Sequence, residues 1–212
     1  MTYFSRSKRR KILDSFWLRI PVAALGLAFV LAGFWVAVQA TREDIYQRRV
    51  SAQIFATAST AFDLKLDPLA LGQDNLNALF RRLQLSGDRL QVIPDPAKPP
   101  GFMINPWQQR LEFNLLQVPT GNAAQPTGLL LDLVSTMPHV ACRFVLGQFS
   151  NDSLAVFRLS QVTVMSADGV GGSRLLYNND LNVVRLKPDA IVAACGNTGM
   201  VKLRLVFKLF AD

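Results

Sequence analysis

Residues 20–62 read IPVAALGLAFVLAGFWVAVQATREDIYQRRVSAQIFATASTAF, and the change of pattern partway along decides the fold. From Ile20 to Thr41 there are 22 residues without a charged side chain. As a helix rising about 1.5 Å per residue they cover a hydrocarbon core of roughly 30 Å. A basic cluster precedes the run and the mixed sequence TREDIYQRR follows it, flanks that suit an inserted segment better than a helix buried in a soluble core. The helical period then continues: Ile45, Tyr46, Val50, Ile54, Ala58, Ala61 and Phe62 recur mostly at three- and four-residue intervals, and neither Gly nor Pro occurs until Pro68. The spacing predicts one helix from about Phe16 to about Leu66, on the order of 75 Å long, lipid-facing in its first half and amphipathic in its second. Pro21 would fall in its first turns, where a missing N–H costs little, and the LDP sequence at Pro68 should end any helix. The competing reading is two helices broken near Thr41.

Six basic residues (Arg6, Lys8, Arg9, Arg10, Lys11, Arg19) lie before the span, and Arg42, Arg48 and Arg49 follow it. The positive-inside rule therefore makes residues 1–19 a cytoplasmic basic tail or leader, 20–41 the transmembrane helix, 42–67 its amphipathic continuation and 68–212 an exported domain. Trp17 and Trp35 lie near the two ends of the span, where amphipathic rings are favoured. A cleaved signal peptide is the alternative, with Val38-Gln39-Ala40 as its small-residue site, but the apolar run far exceeds the 7–15 residues such a peptide needs, so an uncleaved anchor is preferred. Ala24, Gly26, Ala28, Ala32 and Gly33 would permit close helix–helix approach in the membrane, and they are also common in ordinary anchors.

Composition agrees. The chain of 212 residues is 50% hydrophobic and only 18% charged, which speaks against disorder and for a membrane segment. Its net charge of +8 resembles a nucleic-acid signature until it is placed: residues 1–19 carry six basic groups against Asp14, and the remaining residues carry only +3. One His and two Cys leave no room for a multi-His site or a four-thiolate zinc site, so no metal and no cofactor is expected. No G-x-S-x-G, H-E-x-x-H or P-loop occurs, and Gly169-Val170-Gly171-Gly172 reads as a loop rather than a phosphate cradle. The expectation is a protein that is not an enzyme and takes no small-molecule substrate.

Asp74 is positioned to cap a second helix carrying Leu76, Leu79, Phe80 and Leu83, with Gly87 as its stop. The loop PDPAKPPG follows. Beyond residue 102 the period shortens. Leu111 to Leu115 alternates, Leu129 to Val134 is an apolar run broken by Asp132, and Val162-Thr163-Val164 is β-branched. In the last segment Val201, Leu203, Leu205, Phe207 and Leu209 alternate with Lys202, Arg204, Val206, Lys208 and Phe210, as a half-buried antiparallel strand requires. Short helices are expected at His139 to Phe149 and Pro188 to Ala194. The fold class is α+β: a long N-terminal helix packed on an antiparallel sheet. Lys202, Arg204 and Lys208 could present a basic strand face to nucleic acid; a solvated outer face is the plainer reading, so nucleic acid is unsupported but stays open.

Cys142 and Cys195 both fall in the exported part, where a disulfide is the expected state. Closing a loop of about 50 residues would stabilise the domain by roughly 2 to 4 kcal/mol. The sharper alternative, a nucleophilic Cys142 beside His139 in PHVAC, lacks a third orienting group and a C-x-x-C.

A basic leader, a membrane helix running into an amphipathic one, Asn105-Pro106-Trp107 before a strand, and two cysteines enclosing much of the last third together make the chain resemble a type IVb pilin, in particular the pilins of conjugative thin pili. Met137-Pro138-His139-Val140-Ala141-Cys142 is similar to that family's helix start before the first Cys. Leu186-Lys187-Pro188-Asp189-Ala190-Ile191-Val192-Ala193-Ala194-Cys195 is similar to its Pro-led, Ala-rich approach to the second. The resemblance implies a non-enzymatic, pilin-like subunit, minor or tip-associated, of a type IV pilus or related secretion or conjugation apparatus. Its partners would be other pilins or assembly proteins and the membrane. It would sit in a bacterial inner membrane with its N-terminus cytoplasmic and its C-terminal domain periplasmic, or extracellular after assembly. The candidate processing junction is Ser15–Phe16, where the family has Gly before the aromatic residue, and Ile20 stands where the family carries a Glu. A buried Glu needs a partner in lipid and Ile does not. These departures keep a second reading open, a permanent bitopic scaffold of the assembly machine.

Overall fold

The computed structural model describes residues 6–64, 66, 72–85, 92–93, 102–119, 127–149, 158–168, 172–179, 181 and 185–209, with side chains from residue 24 onward except those of Val92 and Thr127. It divides into two units, Met1–Ile45 and Tyr46–Asp212.

Helix α1 is unbroken from Arg6 to Asp63. It starts ten residues before Phe16, where the apolar spacing places its beginning. The physical reason lies in residues 6–15, RSKRRKILDS, which contain neither Gly nor Pro and are rich in Arg, Lys, Leu and Ile that fit a helix well. Pro21 consequently lies in the helix interior, not in the first turns, and has no N–H to offer the carbonyl of Trp17. The helix is not broken near Thr41 either: the Thr41 hydroxyl donates to the Ala37 carbonyl at 2.9 Å, so its polar group is satisfied one turn back. In the first unit every described side chain from 24 to 38 is exposed.

The second unit holds residues 46–63 of α1, helix α2 (Gly72–Leu85) and a seven-stranded sheet. Its strands are β1 (Val92–Ile93), β2 (Phe102–Ile104), β3 (Arg110–Pro119), β4 (Thr127–Pro138), β5 (Leu159–Ser166), β6 (Arg174–Asn178) and β7 (Met200–Lys208), with α3 (His139–Gly147) after β4 and α4 (Pro188–Cys195) before β7. The order is β1-β2-β3-β4-β7-β5-β6, and each neighbouring pair is antiparallel. The expected strands at 111–115, 129–134, 162–164 and 201–209 lie within β3, β4, β5 and β7, with Leu209 just past the end of β7. Strands β1, β2 and β6 are additions. Asp74 lies in the first turn of α2, which begins at Gly72, so it favours the helix through its charge near the N-terminus rather than as the cap. Gly87, Pro68, PDPAKPPG and Gly169 to Gly171 fall outside the described residues.

Strand alternation decides which side chains are covered. Leu131 pairs with Phe207, Leu133 with Leu205 and Met137 with Val201, and all six are buried on one face. Against that core α1 sets Val50, Ile54, Ala58 and Ala61, each nearly inaccessible, at intervals of four, four and three residues. Phe62 is half-buried and Ile45, at the other end of the expected stripe, is exposed. Phe149 joins the helix to the sheet, its ring 5.0 Å from Phe55 and 6.5 Å from Phe207. Helix α2 buries Leu79, Phe80 and Leu83, with the Phe80 and Phe113 rings stacked at 6.1 Å. Two polar residues on the buried side of α1 are also bonded: Gln53 Nε2 donates to the Ile104 carbonyl at 3.0 Å, and the Thr57 hydroxyl donates to the Gln53 carbonyl at 2.8 Å.

Candidate membrane anchor and interaction surfaces

Residues 24–38 of α1 form the first surface. A folded soluble unit hides side chains of this kind, yet Phe29 is 76% exposed, Phe34 68% and Trp35 65%. They lie all round the helix, so no single packing face would cover them, whereas lipid covers a cylinder. The helix is long and apolar enough to cross a membrane, with a mean hydropathy of 1.8 over its richest window. Ala24, Gly26, Ala28, Ala32 and Gly33 are all exposed here, and a methyl group added at Gly26 or Gly33 would meet nothing within 4 Å. The side chains of Ser15 and Phe16 lie outside the described residues; their backbone is helical.

The second surface is built around the two cysteines. Cys142 in α3 and Cys195 at the end of α4 are joined by a disulfide with their Cα atoms 5.9 Å apart, and both are fully buried. No cysteine is left free, so Cys142 has no thiol for the nucleophile alternative. Pro188 opens α4 at a position that needs no N–H, and Gly196, with φ +72°, ends it in a conformation that favours glycine. Arg143 Nη2 donates to the Gly196 carbonyl and, at 2.7 Å, to Asn197 Oδ1. The His139 backbone N–H donates to the Gly199 carbonyl at 3.1 Å, so the start of α3 is also tied to the segment after α4. The outward sides of the two helices carry Val140 and Val192, both exposed.

On the opposite sheet face the basic residues of β7 are not equivalent. Arg204 makes a two-pronged bond to Asp132, Nε to Oδ1 and Nη2 to Oδ2, both at 2.8 Å. These hydrogen bonds raise the Arg204 pKa above its ordinary value, against the opposing effect of burial. Asp132 is therefore not a defect in an apolar strand but the partner of a cation one strand away: in the register Asp132 faces Val206 and Arg204 faces Val134, a diagonal contact. Lys202 and Lys208 flank it on the same strand, and the central guanidinium of the expected basic face is committed to a carboxylate.

The Asn105-Pro106-Trp107 turn is a small clamp that the sequence signals only as a motif. Asn105 is fully buried; its Oδ1 accepts from the backbone N–H groups of Trp107 at 3.1 Å and Gln109 at 3.0 Å. Its Nδ2 donates to the Thr136 carbonyl at 2.6 Å and Ser135 Oγ at 3.3 Å. The side chain thus binds the turn to β4, and the Trp107 ring meets Tyr46 edge-on at 5.8 Å. Asn105→Ala would strip partners from two backbone N–H groups and a carbonyl, and is expected to cost about 2–3 kcal/mol. In thermal unfolding of the purified protein that corresponds to a midpoint lower by roughly 4–12 °C; an unchanged midpoint would show the clamp to be energetically idle.

Among the described residues no group of three or more His, Cys, Asp or Glu is placed to hold a metal ion. No family model matches the chain, and no curated protein does. Among solved structures it is similar to the type IVb pilin from Salmonella typhi, at 15% identity and a TM-score of 0.43, over 74% of this chain and 95% of that one.

Proposed function

We propose that the chain is a non-enzymatic, membrane-anchored, pilin-like subunit of a type IV pilus or related secretion or conjugation apparatus, in a minor or tip-associated position. One observation carries the reading. A single helix, α1, is apolar and uncovered from 24 to 38, yet buried against a disulfide-braced antiparallel sheet domain at Val50, Ile54, Ala58 and Ala61. An ordinary anchor needs only the first of these properties. A helix that serves as both anchor and core element suits a subunit that is stored in a bilayer and then exchanges lipid for other apolar helices. Ala24, Gly26, Ala28, Ala32 and Gly33 would then sit where backbones approach. The positive flank supports an orientation with the N-terminus in the cytoplasm and the sheet domain in the periplasm.

A second reading, a permanent bitopic scaffold of the same kind of machine, is favoured by a specific feature. The Ser15–Phe16 bond lacks the preceding Gly and lies inside α1, nine residues past its start at Arg6, whereas proteolytic sites concentrate in exposed irregular chain.

Crosslinking in native membranes is expected to capture pilins or pilus-assembly proteins on this chain; their absence from the products would refute both readings. The N-terminal sequence of the same material separates them. A chain beginning at Phe16 and present in sheared fibres is the expectation for the subunit, and one beginning at Met1 and confined to the membrane is the scaffold.

A further inference from the structure

The turn that Asn105 clamps has a second property. Its Trp107 ring is half-buried, and the indole Nε1–H, though inaccessible to water, has no acceptor among the described residues. A buried N–H without a partner carries a desolvation cost that no bond offsets. Turning the indole toward an oxygen-rich layer would therefore gain a hydrogen bond and break none. The ring lies 5.8 Å from that of Tyr46, and Tyr46 follows Thr41, the last residue of the uncharged run, by five residues of α1. At about 1.5 Å per residue this is on the order of 8 Å, close to the depth of a headgroup layer, which is roughly 5–8 Å on each side of the hydrocarbon. Tyr and Trp are the side chains most enriched at that level, because one part of the ring is apolar and the other hydrogen-bonds. Exposed cations lie in the same two segments: Arg48 and Arg49 follow Tyr46 within one helical turn, and Arg110 closes the turn that carries Trp107.

We propose that Trp107 and Tyr46 form a lipid-contact site, through which the sheet domain rests in the phospholipid headgroup layer with Arg48, Arg49 and Arg110 facing its phosphates. The site rests on the anchor reading above and adds a second, separate attachment of the domain to the membrane. It gives the stored subunit a preferred seating on the bilayer, one that must be released when the helix is drawn out.

The test uses the full chain in phospholipid nanodiscs with the substitutions Trp17→Phe and Trp35→Phe, which leave Trp107 as the only tryptophan. Nitroxide-labelled lipids carry the quencher either on the headgroup or midway down the acyl chain. Trp107 emission is expected to fall more with the headgroup label than with the mid-chain label. The Trp17→Phe chain, which keeps Trp35 and Trp107, is the control: its additional emission, from Trp35, is expected to be lost to lipid-borne nitroxide. Quenching of Trp35 with no lipid quenching of Trp107 would overturn the inference while leaving the anchor standing. Protection of Trp107 from acrylamide without quenching by either lipid would place protein over the ring and overturn it too. If neither tryptophan is quenched by lipid, the anchor reading fails and the inference fails with it.

Discussion

Phe29→Arg combined with Leu31→Arg is expected to remove the chain from the membrane fraction while leaving the sheet domain folded. Each arginine near the centre of a spanning helix costs about 2.5–3.5 kcal/mol, and each replaced Phe or Leu forfeits a further ~0.3–0.6 kcal/mol. The pair therefore shifts insertion by roughly 6–8 kcal/mol, four to six powers of ten in the partition. Both side chains are well exposed, at 76% and 58%, and both lie in the first unit, so their loss opens no cavity in the sheet domain. Carbonate extraction of membranes checks the result, with Phe29→Leu as the tolerated control and circular dichroism of the released chain as the test of folding. Retention of the double variant in the carbonate-resistant pellet would mean that residues 20–41 are not what holds the protein to the bilayer.

Removal of the disulfide should produce the second large effect. Cys142 and Cys195 are 53 residues apart, and a loop of that size restricts the unfolded chain by about 4 kcal/mol in the chain-entropy model. Both are buried, so Cys142→Ala with Cys195→Ala is the gentler replacement, since serine would bury two hydroxyls. The double variant is expected to unfold at a midpoint lower by roughly 8–16 °C. Proteolysis should begin near α3 and α4, the elements the bond ties together. In the unmodified protein neither cysteine should alkylate before reduction. An unchanged midpoint would leave the bond without a stabilising role, and alkylation of both cysteines without reduction would deny that it forms.

Much of this architecture was legible because it is written in period. Twenty-two uncharged residues announce a span, and the recurrence of Val50, Ile54, Ala58 and Ala61 announces a buried helical stripe. The alternation at Val201 to Phe207 announces a strand with one covered face. What escaped is what period does not encode. The start of α1 was hidden because hydrophobicity ends at the basic cluster while helix propensity does not. Strand β6 buries two successive residues, Leu176 and Tyr177, and its pairing with β5 shifts register at Val162/Thr163, so no alternation marks it. The Asp132–Arg204 pair joins residues 72 apart whose proximity depends on the register of β4 against β7. Asn105 was visible as the first letter of a motif, but four hydrogen bonds from one buried side chain require knowing that β4 runs beside it.

Among the described residues strand β7 follows every other strand, yet it lies between β4 and β5, which are not hydrogen-bonded neighbours of each other. Before it arrives the sheet is two separate leaves, β1-β2-β3-β4 and β5-β6, with the inner edges of both unpaired. The sheet is therefore expected to stay open until residues 200–208 pair with both leaves. Late closure of this kind leaves two strand edges open to wrong pairing until the last strand arrives, which makes the final segment the one whose delay most exposes the chain to aggregation.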